Sequence, residues 1–181
     1  MQSAKYTKLA VILHWVSAVL IFGLLTVGLW MRRFEEDLGF KFELYQLHKS
    51  VGFTLLALLL IRLFWRFTHK PPEYATPLSP SVERAAEAVH WAMYGLMLLM
   101  PLSGWISVSV AELQFPTLYF GLFEIPHLSF LNSNPEFWRE VSGWMHTLGA
   151  IALTLLLFGH IGAAIMHTVV LKDGLIKRMM P

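Results

Sequence analysis

The chain has 181 residues, 56% of them hydrophobic and only 14% charged, with a formal net charge of +2 and a mean hydropathy of +0.55. Soluble domains carry about 25% charged residues, so this composition describes an integral membrane protein and excludes disorder, which goes with a poverty of apolar residues. The absence of cysteine excludes disulfide scaffolds, iron–sulfur clusters and cysteine-bound zinc, and the scattered basic residues give nucleic acid no surface to bind. One domain over 1–181 is expected.

Four apolar stretches follow in chain order. The first, about 9–31, holds no Asp, Glu, Lys or Arg and exceeds the roughly 20 residues a membrane crossing needs. Its length and the lack of a small-x-small site before Arg32 read as a retained span rather than a signal peptide. The second, about 47–67, is interrupted by Arg62 and Arg66. A proline-rich linker, Lys70-Pro71-Pro72 through Pro80, is expected to be non-helical. The third span, about 88–111, contains Pro101, which a membrane helix tolerates as a kink. A long loop, about 112–140, carries Pro116, Pro126 and Pro135 with several aromatics and is expected to fold over one end of the bundle. The fourth span, about 141–171, is long enough to be tilted. These elements predict an all-α, integral membrane four-helix bundle. Lys and Arg near the span ends favour the side bearing both termini by eight to five, which predicts cytoplasmic termini.

Eight histidines are many for such a chain, and their depths are informative. His14 lies one turn inside the inner end of the first span, and His48 opens the second at the outer end. His146 sits near the outer start of the fourth span. His160, fourteen residues on, faces the same way two heptads later, about 21 Å along the axis. The depths pair His48 with His146 and His14 with His160. A planar macrocycle needs an axial imidazole on each face, and bundle interiors build such sites from facing helices. Small residues flank the ligands at Ser17, Ala18, Ser50, Gly52, Gly149, Ala150, Gly159, Gly162 and Ala163. Two stacked b-type haems are the economical reading. Taken singly, each histidine could equally be a packing or interfacial residue; the matched depths argue for ligation. Proton relay or metal transport would use the same histidines but favours carboxylates beside them, and the four spans contain none.

Several stretches together resemble the prokaryotic cytochrome b561 family of diheme membrane cytochromes. They are His14-Trp15, Leu47-His48-Lys49-Ser50-Val51-Gly52, the Arg62 to Arg66 segment, the His90 to Pro101 span, the His146 to His160 spacing and the ending Lys172-Asp173-Gly174-Leu175-Ile176-Lys177-Arg178-Met179-Met180-Pro181. The resemblance implies that His48 and His146 bind the outer haem iron and His14 and His160 the inner, in agreement with the depths. It also implies that His167 contacts a quinone, the rival reading being a solvated interfacial histidine.

Arg62, fourteen residues after His48, is at the inner level and is a candidate partner for a haem propionate, with snorkelling to lipid headgroups as the alternative. His90 has no clear role, and His69 and His127 read as loop residues. With both axial positions filled by protein, the chemistry is electron transfer.

The resemblance implies electron transfer between a donor on the periplasmic side and membrane quinone, with ubiquinone as acceptor, in a bacterial inner membrane. Superoxide oxidation, an activity within the family, would draw on Lys49 and Arg139 at the outer face, while the acidic run Glu35-Glu36-Asp37 opposes it. The alternative is a cytochrome subunit relaying electrons for a periplasmic redox partner that docks on the 112–140 loop.

Overall fold

The computed structural model describes residues 5–31, 38–72 and 79–180. Four helices dominate: α1 (Lys8–Met31), α2 (Leu38–Thr68), α3 (Pro80–Ser109) and α4 (Pro135–Ile165). All four are long and apolar enough to cross a membrane. Their starts carry local signals. The Thr7 hydroxyl accepts from the Ala10 amide at 3.3 Å, Ser79 precedes Pro80 in the first turn of α3, and the Asn134 side chain accepts from the Phe137 amide ahead of Pro135. Each satisfies or removes an amide that the first turn leaves without a helical partner.

Three boundaries differ from the sequence expectation. Helix α2 begins nine residues before Leu47, because a helix continues past the bilayer on polar residues such as Lys41 and Glu43, which a hydropathy reading cannot see. The linker expected to reach Pro80 ends sooner, because Pro80 is the first residue of α3, where a missing amide costs nothing. Residues 73–78 of that linker, and the acidic run Glu35-Glu36-Asp37, lie outside the described residues. Helix α4 starts at Pro135, within the expected loop, and continues as a π-helix over Met166–Leu171.

Packing is uneven in a way that matters. Helix α2 packs along α1 and α3, and α3 packs most extensively along α4; among the described residues no comparable backbone packing joins α4 to α1 or α2. The middle of the bundle is closed by Ile21, Leu55, Leu59, Met97, Leu153 and Leu157, all at most 8% exposed. At about 25 cal/mol per Å² such side chains bring roughly 1.5–3 kcal/mol each in water. In lipid the same contacts work through packing.

The two ends are built differently. At one, β1 (Thr117–Tyr119) and β2 (Phe123–Ile125) form an antiparallel hairpin pairing Thr117 with Ile125. Helix α2 pins it: Gln46 donates to the Pro116 carbonyl at 2.8 Å and accepts from the Leu118 amide, while the Ser50 hydroxyl bridges the Leu118 carbonyl and the Phe120 amide. At the other end the chain folds back through Lys172 (φ 51°) and Gly174 (φ 74°) into a short 3-10 turn, Leu175–Arg178. There the Tyr6 amide donates to the Arg178 carbonyl at 3.2 Å, the Arg178 guanidinium donates to the Pro72 carbonyl, and the Trp15 indole donates to the Met179 carbonyl at 2.8 Å. The tail thereby ties together both chain ends and the start of the linker after α2.

Candidate functional site

Heptad spacing arranges the bundle interior in three layers. The middle one holds Ile21, Leu55, Met97 and Leu153, one from each helix. Seven residues toward the hairpin lie Gly28, His48, Gly104 and His146; seven residues toward the tail lie His14, Arg62, His90 and His160. One heptad is about 10.5 Å of helix, so the outer layers lie about 21 Å apart. His48 and His146 in one layer, and His14 and His160 in the other, come from helices that do not pack closely on each other.

In the hairpin layer the rings of His48 and His146 stand 6.3 Å apart, centre to centre, at 64°. In the tail layer His14 and His160 stand 6.2 Å apart at 56°. An imidazole nitrogen binds a metal at about 2.0–2.1 Å, and its ring centre lies about 1.1 Å further back, so two imidazoles on one iron should be about 6.3 Å apart. Both pairs have that separation. The glycines of the hairpin layer act as clearance: a Cβ on Gly104 would lie 3.3 Å from His146 Cε1, and one on Gly28 3.5 Å from His48 Cε1.

The supporting contacts fix proton positions. His146 Nδ1 lies 3.1 Å from the Met100 carbonyl and 3.1 Å from the Ser103 hydroxyl. A carbonyl only accepts, so Nδ1 carries the proton and Nε2 keeps the lone pair a metal needs. His48 Nδ1 is buried with no hydrogen-bond partner among the described residues.

His14 has the opposite arrangement. Its Nδ1 lies 3.2 Å from Arg62 Nη2, and a guanidinium only donates, so Nδ1 accepts and Nε2 holds the proton. Ligation through Nε2 requires that proton to move to Nδ1 and the guanidinium to turn aside. Arg62 also lies over the Tyr94 ring at 5.1 Å, which keeps its charge in this layer. With that one adjustment the residues fit a haem in each layer.

Other residues resolve as follows. His90 joins the tail layer, its ring 5.7 Å from that of His160. His167, in the π-helix, bonds Asp173 through Nδ1 at 2.5 Å. Partial burial works to raise the Asp173 carboxyl, but the Leu175 amide and His167 outweigh it and hold it below the ordinary carboxylate range. His69 stacks on Trp65 at 3.6 Å.

Several small residues expected to admit a macrocycle have other work. Ser17 bonds the Leu13 carbonyl and Ser50 holds the hairpin. Gly149 lets α3 approach, since a Cβ there would lie 2.9 Å from Met100 Sδ. Gly52, Gly159 and Gly162 have open space where a Cβ would lie. The clearance glycines Gly28 and Gly104, and Asp173 as partner of His167, were not anticipated; the heptad spacing from Gly28 to His14 and from Gly104 to His90 was the available signal. At the hairpin end, Lys49 donates to the Pro116 carbonyl at 3.1 Å, and Arg139 pairs with Glu112 at 2.9 Å and donates to the Val110 carbonyl.

Four apolar helices enclosing two layers of facing histidines make a membrane-spanning helical bundle with an interior suited to a ligated macrocycle. The chain belongs to the prokaryotic cytochrome b561 family, whose model matches residues 5–181. It is 32% identical to "Cytochrome b561 homolog 2" of Escherichia coli (strain K12), over 97% of this chain and 91% of that one. It is 27% identical to "Probable superoxide oxidase CybB" of Yersinia pestis over 98% and 96% of the two chains, and 28% identical to "Cytochrome b562" of Cereibacter sphaeroides over 99% and 97%. The protein is thus a multi-pass membrane cytochrome of a family that carries b-type haem and transfers electrons.

Proposed function

We propose that the chain binds two b haems, one between His48 and His146 and one between His14 and His160, and passes electrons between a donor at the hairpin end and membrane quinone near the tail end. The observation that carries this is the pair of ring separations, 6.3 and 6.2 Å, each suited to one iron held on both sides. Bound haem supplies the one-electron redox change. The protein's part is to present Nε2 of His146 by holding Nδ1 on the Met100 carbonyl, to keep the two sites a fixed distance apart, and to leave no axial position for oxygen.

The hairpin end faces the periplasm in this reading and both termini the cytoplasm, across a bacterial inner membrane. At the tail end, His167 bonded to Asp173 is suited to donate a hydrogen bond to a quinone carbonyl, with ubiquinone as acceptor. Arg62, once displaced from His14, is the group suited to a propionate. Counting haem by pyridine haemochrome tests the proposal: two per chain supports it, and a count of one or none sinks it.

Two features bear on the donor. Lys49 and Arg139 are already engaged with main-chain carbonyls and Glu112, which weakens the case for superoxide attraction at this face. Phe115, Phe120, Leu122 and Phe123 are all at least 50% exposed around the hairpin, which favours the second reading, an electron relay for a docked periplasmic partner. Recovery of a stoichiometric partner on mild solubilisation would support that reading. Quinone reduction by the isolated protein under a steady superoxide flux would support the first.

A further inference from the structure

The two histidine layers are chemically unequal, and the inequality has a direction. We infer that the tail-layer haem has the higher reduction potential of the two, with Arg62 as the residue that sets it. This rests on the two-haem reading above and adds the order of the two potentials.

Two independent observations point the same way. The first is at the ligands. His146 donates from Nδ1 to the Met100 carbonyl at 3.1 Å, which raises the basicity of the imidazole and favours the more positive, oxidised iron. Among the described residues His14 Nδ1 meets no carbonyl, only the Arg62 guanidinium 3.2 Å away, which must turn aside for ligation; its imidazole thus lacks the support His146 has, which favours the reduced iron.

The second is at the flanks. In the hairpin layer the two helix positions beside the ligands are Gly28 and Gly104, with no charge and no side chain. The matching tail-layer positions are Arg62 and His90. A fixed positive charge inside a low-dielectric layer acts strongly on an iron whose charge falls by one on reduction.

Neighbouring charges leave the sign standing. Glu87, three residues before His90, opposes Arg62, and Arg66, one turn beyond Arg62, reinforces it. At the other end Lys49 is turned onto the Pro116 carbonyl, on the face of α2 that holds the hairpin. With haem bound, this inequality would favour a one-electron transfer from the site held by His48 and His146 to the site held by His14 and His160, with no proton exchanged.

A spectroelectrochemical titration of the purified haem-loaded protein tests this. Wild type should give two midpoints. His160→Ala, which keeps the hairpin-layer site, should retain the lower one, and His146→Ala the higher. Arg62→Gln should lower the higher midpoint and leave the other in place, while Arg62→Lys, which keeps the charge, should restore most of the difference. The reverse assignment in the histidine variants overturns the inference even if Arg62→Gln proves unstable. So does an Arg62→Gln protein whose two midpoints match wild type. A wild-type count of one haem, read before any titration, removes the two-site reading itself.

Discussion

Gly104 on α3 faces the ring of His146 on α4 so closely that an added Cβ would stand 3.3 Å from Cε1. The backbone of one helix is therefore the wall against which a histidine ring of another is held. Gly104→Val should push His146 out of line, since overfilling a packed site costs about 1–3 kcal/mol. Gly104→Ala should do so less. The haem content of Gly104→Val is expected to fall toward one per chain, with the His14–His160 site retained.

Removing a proposed ligand outright should separate the two sites. His146→Ala and His160→Ala are each expected to lose one haem of two, and the residual difference spectra should be complementary rather than alike. Identical spectra from both variants would count against two separate pairs.

Ser103 offers a milder probe. Its hydroxyl shares His146 Nδ1 with the Met100 carbonyl, so Ser103→Ala removes one of two partners and should cost about 1 kcal/mol. Haem should still bind. The expected change is a small drop in thermal stability of the haem-loaded protein, followed by loss of the Soret band on heating.

The tail is held by defined bonds that can be cut singly. Trp15→Phe loses the indole bond to the Met179 carbonyl, at a cost of about 1 kcal/mol. Arg178, only 4% exposed, should resist trypsin in wild type. Cleavage after Lys177 and Arg178 should accelerate in Trp15→Phe and in Tyr6→Ala, which removes the ring beneath the Arg178 guanidinium.

Acid should loosen the same segment. The Asp173 carboxyl is held below its usual range by the Leu175 amide and His167, so its folded-state pKa lies under the unfolded value of about 3.9. The stabilisation it brings is present above that value and lost as pH falls through the folded pKa. Exchange of the Leu175 amide, measured against pH, should show protection falling in that acidic range, and Asp173→Asn should flatten the dependence.

Much of the bundle was readable because lipid imposes long apolar runs; 9–31 came within a residue of α1. The starts of α2 and α3 were not, since Leu38 and Pro80 belong to helix outside the apolar window. Histidine pairing was legible from depth alone, because two heptads on one helix fix both angle and height. Gly28 and Gly104 escaped notice because a glycine in an apolar run carries no chemical label, and only the facing ring shows what its missing side chain permits. The His167–Asp173 bond depended on a chain reversal through Lys172 and Gly174 that residue spacing does not encode.

The layer of Ile21, Leu55, Met97 and Leu153 between the histidine levels has a consequence of its own. It is a greasy septum, offering protons and ions no stepping stone. With a haem at each level, as proposed, an electron crossing it alone would be electrogenic, worth about 2.3 kcal/mol per 100 mV for a full crossing. The membrane voltage would then work with or against every such transfer.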